Sequence, residues 1–270
     1  MPDWLSVARG DAPLIVCMPH TGTDIPRGIE AALVSPWLGR KDADWHVETL
    51  YGFAPGLGAT LVRTALSRTV IDCNRDPSGR SLYPGQATTG LCPTTTFEGE
   101  PLYRCGTPDA AEIATRRKAW FDPYHVAIEG EIARLRARHK RVVLFDAHSI
   151  RSRIPRLFDG ELPHLNIGTN SGASCDPALA LAVESACFAG KFSRVTDGRF
   201  KGGWTTRNYG KPESGIHAIQ LELAARGYMD EPDPVTPENW PTPYSDERSA
   251  SLRAVLERVL KACLEFAEHA

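Results

Sequence analysis

"VVLFDAHSIRS", residues 142–152, begins as an apolar run of strand-forming residues and ends abruptly on Asp146, His148 and Ser149. A short continuous apolar run is what a strand covered on both faces looks like, as in the parallel sheets of α/β proteins. Such sheets carry their ligand sites beyond the carboxyl ends of their strands. The polar ending is therefore either a solvated turn or an active site at the mouth of a sheet, and the rest of the chain must decide between them.

Similar runs recur along the sequence. "PLIVCM" at 13–18 ends at "PHTGTDIP" and reads as a buried strand feeding a loop; "ATLVRT" (59–64), "RTVIDC" (68–73), "LNIGT" (165–169) and "HAIQLEL" (217–223) read as further strands. Helical spacing lies between them. Ile128, Ile132 and Leu135 recur at intervals of four and three after "DPYH", where Asp122 can cap and Pro123 can occupy the first turn. An earlier helix is predicted over about 109–121, either separate or continuous through a kink at Pro123. "CDPALALAVESACFAG" (175–190) opens with the same Asp-Pro pair and closes near a glycine. In the last segment Leu252, Val255, Leu256, Val259, Leu260, Cys263 and Phe266 keep the spacing that lays one apolar face on a sheet. Strands interleaved with amphipathic helices predict an α/β fold, a three-layer sandwich with a mixed, mostly parallel sheet, in a single domain spanning 1–270.

Composition narrows the function classes. Of the 270 residues 24% are charged and 42% apolar, with a formal charge of -2, which suits neither a disordered chain nor a nucleic-acid-binding surface. The apolar runs are too short to span a bilayer, and "MPDWLSVARGD" lacks the layout of a signal peptide, so the expectation is a soluble cytoplasmic protein. Seven cysteines without a CxxC pair read as reduced thiols, with Cys17, Cys187 and Cys263 packing as small hydrophobes. Two long segments of low periodicity, 74–108 and 198–216, are rich in Gly, Pro, Thr and Arg, and long ordered loops in compact domains are usually functional or mobile.

The candidate chemistry sits at strand ends. His20 follows the first buried strand and His148 closes the "RVVLFD" strand; if these strands are neighbours, about 5 Å apart, both imidazoles stand over one patch. Two histidines and a carboxylate with one open position suit catalytic zinc, and "KDADWHVETLY" offers Asp42, Asp44 and Glu48 as the third ligand. The plainer reading of each histidine is a hydrogen-bonded structural residue. Ser149 is not a nucleophile by adjacency to His148, because consecutive strand residues face opposite ways; a turn hydroxyl is the simpler reading. Glu222 interrupts the apolar run at 217–223, and is either a general base of raised pKa or the partner of Arg226. Arg75 and Arg207 stand in the long loops, where a guanidinium either forks onto a carboxylate or is simply exposed. There is no HExxH helix, GxSxG elbow, GxxxxGK loop or paired CxxC.

Taken together, "PHTGTDIP" (19–26), "DADWHVETLY" (42–51), "DCNRDPSGRSLYPGQATTGLCPTTTFEGEPLY" (72–103), "DAHSIRSRIPRLFDGELPHLNIGTNSGASCDP" (146–177) and "GRFKGGWTTRNYGKP" (198–212) resemble the N-formylglutamate amidohydrolases, in order and over nearly the whole chain. The family's first motif usually reads PHSG, and Thr21 keeps the hydroxyl. The resemblance implies a zinc carboxypeptidase-like architecture and a zinc-dependent amidohydrolase in histidine degradation. It would release formate and L-glutamate from N-formyl-L-glutamate, a small substrate with two carboxylates, with one divalent ion per chain. It implies His20, His148 and an acid as metal ligands, with Asp44 preferred and Asp24 as the alternative, since Thr23 marks a departure near the first histidine. Glu222 takes the general-base position, Arg75 and Arg207 hold the substrate carboxylates with Asn74 and Thr205 as polar contacts, and Asp146 with Ser149 supports the ligands from behind. Rival readings are a zinc amidase for another N-acyl amino acid or small peptide, a non-catalytic protein binding acidic amino acids, and a serine hydrolase.

Overall fold

Strand alternation sorts the apolar residues onto two faces of one mixed sheet, and helices cover both. In the computed structural model, which describes residues 2–188 and 190–269, the strands are β1 (Leu5–Ala8), β2 (Leu14–Met18), β3 (Thr60–Thr64), β4 (Val142–Ile150), β5 (Leu165–Gly168), β6 (Arg194–Thr196) and β7 (Ile216–Ala224). The α-helices are α1 (Arg27–Glu30), α2 (Val47–Leu50), α3 (Ala110–Arg116), α4 (Asp122–Arg136), α5 (Pro177–Phe188), α6 (Trp204–Tyr209) and α7 (Asp246–Glu268). The order across the sheet is β1-β3-β2-β4-β7-β5-β6. Strands β3, β2, β4 and β7 run parallel, β1 and β5 are antiparallel to their inner neighbours, and β6 is parallel to β5. The expected mixed, mostly parallel α/β sandwich is the observed one.

One face packs Leu14, Val16 and Met18 of β2, Val143 and Phe145 of β4, and Ile219 and Leu221 of β7 against α5 and α7. The other packs Ile15, Cys17, Val142, Leu144 and Ala218 against Ile128, Ile132 and Leu135 of α4. The caps follow from sequence at two helices: Asp176 Oδ1 accepts from Ala178 N at 2.8 Å to start α5, and Ser245 Oγ accepts from Arg248 N at 3.2 Å to start α7.

Three sequence expectations need correction. Asp122 does not cap α4; it lies in continuous helix and accepts from Arg117 instead, because α3 and α4 are joined through a π-helical turn at Arg117–Phe121. Pro123 has no N–H to give to the preceding turn, and a widened turn accommodates it without a break. "RTVIDC" is a turn rather than a strand: Val70 N donates to Ser67 O and Asp72 N to Leu91 O. Strands β1 and β6 were not anticipated, being short, partly exposed edge segments with too few apolar residues to show a period. All seven cysteines are free and six are buried. No helix among the described residues is long and apolar enough to cross a membrane.

The register of β4 against β7 places Asp146 beside Gln220, His148 beside Glu222, and Ile150 beside Ala224. These pairs share the α4 side of the sheet, but the apolar contacts of α4 stop with Leu144 and Ala218. The carboxyl-end half of that face is roofed instead by the loops carrying Arg68, Asn74, Tyr83, Phe97 and Arg199, and the space between is a cavity.

Candidate active site

Three buried side chains meet at the carboxyl ends of β2 and β4. His148 Nδ1 lies 3.1 Å from His20 Nδ1 and 3.0 Å from Asp44 Oδ2, and His20 Nδ1 lies 3.8 Å from the same oxygen. The three residues form a cluster with the spacing of a metal site. Ligands about 2.0–2.2 Å from a tetrahedral ion stand roughly 3.3–3.5 Å apart, so the cluster fits one ion. The hydrogen-bond logic says the same. His20 Nε2 is 2.7 Å from Asp72 Oδ1, which can only accept, so that nitrogen carries the proton and Nδ1 presents a lone pair. Asp44 also presents only lone pairs, and its Oδ1 is buried without a hydrogen-bond partner. A positive charge at the meeting point, a proton on His148 or a metal ion in its place, reconciles these acceptors.

Titration behaviour follows this arrangement. Burial, helped by the nearby Arg68 charge, lowers His20 to about 4, which keeps its imidazole neutral. Burial acts the same way on His148, but the carboxylates of Asp146 and Asp44 outweigh it and raise that imidazole well above its ordinary value.

Each residue of the cluster has a local reason for its position. His20 lies two residues beyond β2, and its carbonyl accepts from Asp44 N at 2.9 Å, which ties the ligand turn to the strand end. His148 is the seventh residue of β4, where side chains alternate between the faces. Asp146, two residues earlier on the same face, places Oδ1 3.1 Å from His148 Nε2, the position expected of a residue that orients the ring. Ser149 faces away, as alternation requires. Its hydroxyl lies 2.8 Å from that of Tyr228, which also lies 2.8 Å from the Trp45 carbonyl next to Asp44. Ser149 therefore supports the Asp44 turn and does not touch the imidazoles. Asp24 is exposed and joins only a backbone bridge to Leu66, Asp42 accepts from Phe97 N at 2.6 Å, and Glu48 pairs with Arg63 at the surface.

Two residues behind His20, Asp72 and Arg68, were not singled out from the sequence. Asp72, fully buried, accepts from His20 Nε2, from Asn74 N at 2.9 Å and from Arg68 Nη2 at 2.6 Å. Although burial opposes it, the Arg68 and Arg75 charges hold the Asp72 carboxyl well below the usual carboxylate range. Asp72 ends an apolar pair, Val70–Ile71, much as Asp146 ends "VVLF"; that signal was present but was absorbed into a predicted strand. Asn74 stands at the cavity wall, where its amide donates to Asp146 Oδ2 and packs 2.9 Å from His148 Nε2, while its carbonyl accepts from Thr205 N.

Both histidines and Glu222 line the cavity, with Asn74 and Gln220 beside them. Glu222 is 8% exposed, and among the described residues its side chain has only a long 3.4 Å hydrogen bond from Gln220 Nε2. Burial raises its carboxyl to about 7, with the facing His148 charge acting against the rise. Arg226 is not its partner, because that guanidinium pairs with Glu161 at 3.0 Å and donates to Ser152 Oγ.

Positive charge enters the cavity from Arg68, Arg75 and Arg199. Arg207 does not line it: α6 directs its Nε onto the Gly202 carbonyl and its guanidinium 5.1 Å from the Tyr83 ring centre. Thr205 is fully buried and also outside the lining; its backbone holds Asn74. Arg199, which the sequence reading did not single out, lines the cavity where Arg207 does not. Both arginines belong to the same loop-rich stretch, and neither has a period from which to read its direction.

Over residues 12–229 the sequence matches the family described as N-formylglutamate amidohydrolase. It is 47% identical over 268 residues to the N-formylglutamate deformylase of Pseudomonas aeruginosa, covering 98% of each chain. It is 44% identical over 265 residues to the N-formylglutamate deformylase of Pseudomonas putida, covering 97% of this chain and 96% of the relative. The crystal structure of N-formylglutamate amidohydrolase from Ralstonia eutropha JMP134 shares the fold, with a TM-score of 0.80 at 23% identity over 98% of both chains. With sequence matches of this extent, the chain belongs to the N-formylglutamate amidohydrolase family.

Proposed function

We propose that this protein hydrolyses N-formyl-L-glutamate to formate and L-glutamate, using one divalent ion held by His20, Asp44 and His148. The observation that carries the reading is the convergence of the two Nδ1 atoms and the Asp44 carboxylate on one point beside Glu222. Two imidazoles, one carboxylate and an open side toward a cavity make a donor set typical of catalytic zinc. A bound ion supplies Lewis acidity toward a carbonyl oxygen and makes water a stronger nucleophile near neutrality.

The chain's own groups supply the remaining chemistry. Asp72 accepts from the outer nitrogen of His20, and the Asp146 carboxylate stands 3.1 Å from that of His148, so each ring has a carboxylate on its outer side to orient it before substrate arrives. Glu222, with a carboxyl near 7, takes a proton from the attacking water and returns it to the departing glutamate nitrogen. Water thus adds to the formyl carbon, the C–N bond breaks, and formate and the free amine leave. The lining guanidinium groups offset the two negative charges of the substrate, and Arg68, already paired with Asp72, keeps the support of His20 in place. We assign the reaction to histidine degradation in the cytoplasm, the setting the family resemblance implies, and seven free thiols suit a reducing compartment.

The test is a formate-release assay on N-formyl-L-glutamate beside a panel with N-acetyl-L-glutamate and a formylated dipeptide. Preferred turnover of formylglutamate is expected. Equal or better turnover of the others would move the protein to a more general N-acyl amidase, and binding without turnover would make it a receptor for acidic amino acids.

A further inference from the structure

The cavity contains one guanidinium that the protein itself leaves without a counter-ion. Arg199 has no carboxylate within 4.0 Å among the described residues, unlike Arg68, which pairs with Asp72 at 2.6 Å. Arg75 is also committed: Nε and Nη2 donate to Thr89, Nη1 donates to the Asn74 carbonyl, and Asp72 stands 3.7 Å away. Arg199 is instead held from behind. Its Nε donates to Leu157 O at 2.7 Å and its Nη2 to Ala87 O at 2.8 Å, while its Cζ lies 5.3 Å from the Tyr83 ring centre and 5.1 Å from that of Phe200. Nη1 makes no hydrogen bond among the described residues, and the residue lines the cavity together with Arg75.

A cation in a cavity lining, held by two carbonyls beside two aromatic rings and with Nη1 unpaired among the described residues, is pre-organised for an anion. Burial and the like charge of Arg75 disfavour its charged form, an unfavourable state that an incoming carboxylate relieves. The two carboxylates of the substrate are not equivalent in reach. The α-carboxylate sits on the carbon bearing the scissile nitrogen and must stay near the reacting centre, where Asn74 abuts His148 and Arg75 follows it in sequence. Arg199 is tethered to the roofing loops at Ala87 and Leu157 and makes no hydrogen bond to Asn74 or His148 among the described residues.

We propose that Arg199 anchors the side-chain carboxylate of the substrate, so that the enzyme selects acidic over neutral N-formyl amino acids. The assignment rests on the N-formylglutamate reading and adds which group is read by which residue. Tyr83 is the positioning residue of this anchor: its ring backs the guanidinium, and its hydroxyl fixes the loop by donating to Gly202 O at 3.0 Å.

The experiment crosses two substrates with one substitution. N-formyl-L-glutamate and its neutral isostere N-formyl-L-glutamine are compared on wild type, Arg199→Met and Arg199→Lys. Loss of a charge-assisted pair lowers kcat/KM on formylglutamate by roughly ten- to a hundredfold, chiefly through KM. Formylglutamine is expected to change less than about threefold, and Arg199→Lys to recover part of the loss. Equal losses on both substrates overturn the assignment, as does a wild type that treats the two alike. Calorimetric binding of formylglutamate to Glu222→Gln with and without Arg199→Met separates the two claims. Arg199-dependent binding in a protein whose wild type shows no turnover keeps the anchor and rejects the reaction, whereas turnover with Arg199-independent binding does the reverse.

Discussion

Glu222 is a carboxyl group placed where little stabilises its charge: buried, next to His148 in register, with one weak contact to Gln220. A group at about 7 is protonated over much of the acid range, and the reaction needs its base form. A cation in the neighbouring cluster favours the carboxylate and moves its titration downward. The kcat/KM profile is therefore expected to rise with pH through a limb at or below about 7, and Glu222→Gln to remove both that limb and a hundredfold or more of kcat while metal content is retained. An unchanged profile in the variant would assign the proton transfer elsewhere. Asp72→Asn tests the support of His20 separately, with metal affinity expected to fall roughly 10- to 100-fold in a chelator competition. His20, His148 and Glu222 stand out in the sequence because each breaks an apolar run or follows its end, whereas Asp44 is one of three acids in "KDADWHVETLY" and only the family resemblance prefers it. Asp72 and Arg68 do not stand out, because a turn rich in Val and Ile looks like a strand until its backbone partners are known. The choice of Arg199 over Arg207 depends on the course of an aperiodic loop, which no spacing rule describes.

At the scale of elements, periodicity served where packing is regular. The predicted helical face of α7 is the observed one, with Leu252, Val255, Leu256, Val259, Leu260 and Cys263 buried against the sheet and Phe266 partly so. Leu256 is fully buried between these neighbours, so Leu256→Ala is expected to cost about 2–5 kcal/mol in denaturant unfolding, as truncations that leave a cavity do. Ser245→Ala removes the cap of the same helix and should cost about 1 kcal/mol. The comparison discriminates, since a cap loss as large as the core loss would mean α7 contributes through its end rather than its face. Legibility failed at β1 and β6, which are only four and three residues long, and at the join of α3 and α4, where the proline was visible but the π-helical solution was one of several the chain allowed.

Across the whole molecule the site exists because α4 covers only part of its side of the sheet. The residues of that face beyond Leu144 and Ala218 are polar in two successive cross-strand pairs, Asp146 with Gln220 and His148 with Glu222, and loops roof what the helix leaves open. The sequence contained these pairs but not their adjacency. The neighbour of β4 on this side is β7, more than sixty residues later, and only the closed sheet reveals it. On the proposed reading His20, Asp44 and His148 come from three distant segments, so an ion they hold stabilises the folded chain by mass action, by about 4 kcal/mol at a thousandfold excess over Kd. Chelation is accordingly expected to lower the thermal midpoint of wild type by several degrees and to leave His148→Ala, which has lost a ligand, almost unmoved.

The most direct measurement is metal content and formate release on a single preparation, as purified, after exhaustive chelation and after return of zinc. One ion per chain, with activity on N-formyl-L-glutamate lost and then regained in proportion to occupancy, is the predicted result. Undiminished formate release from metal-free protein would contradict the account.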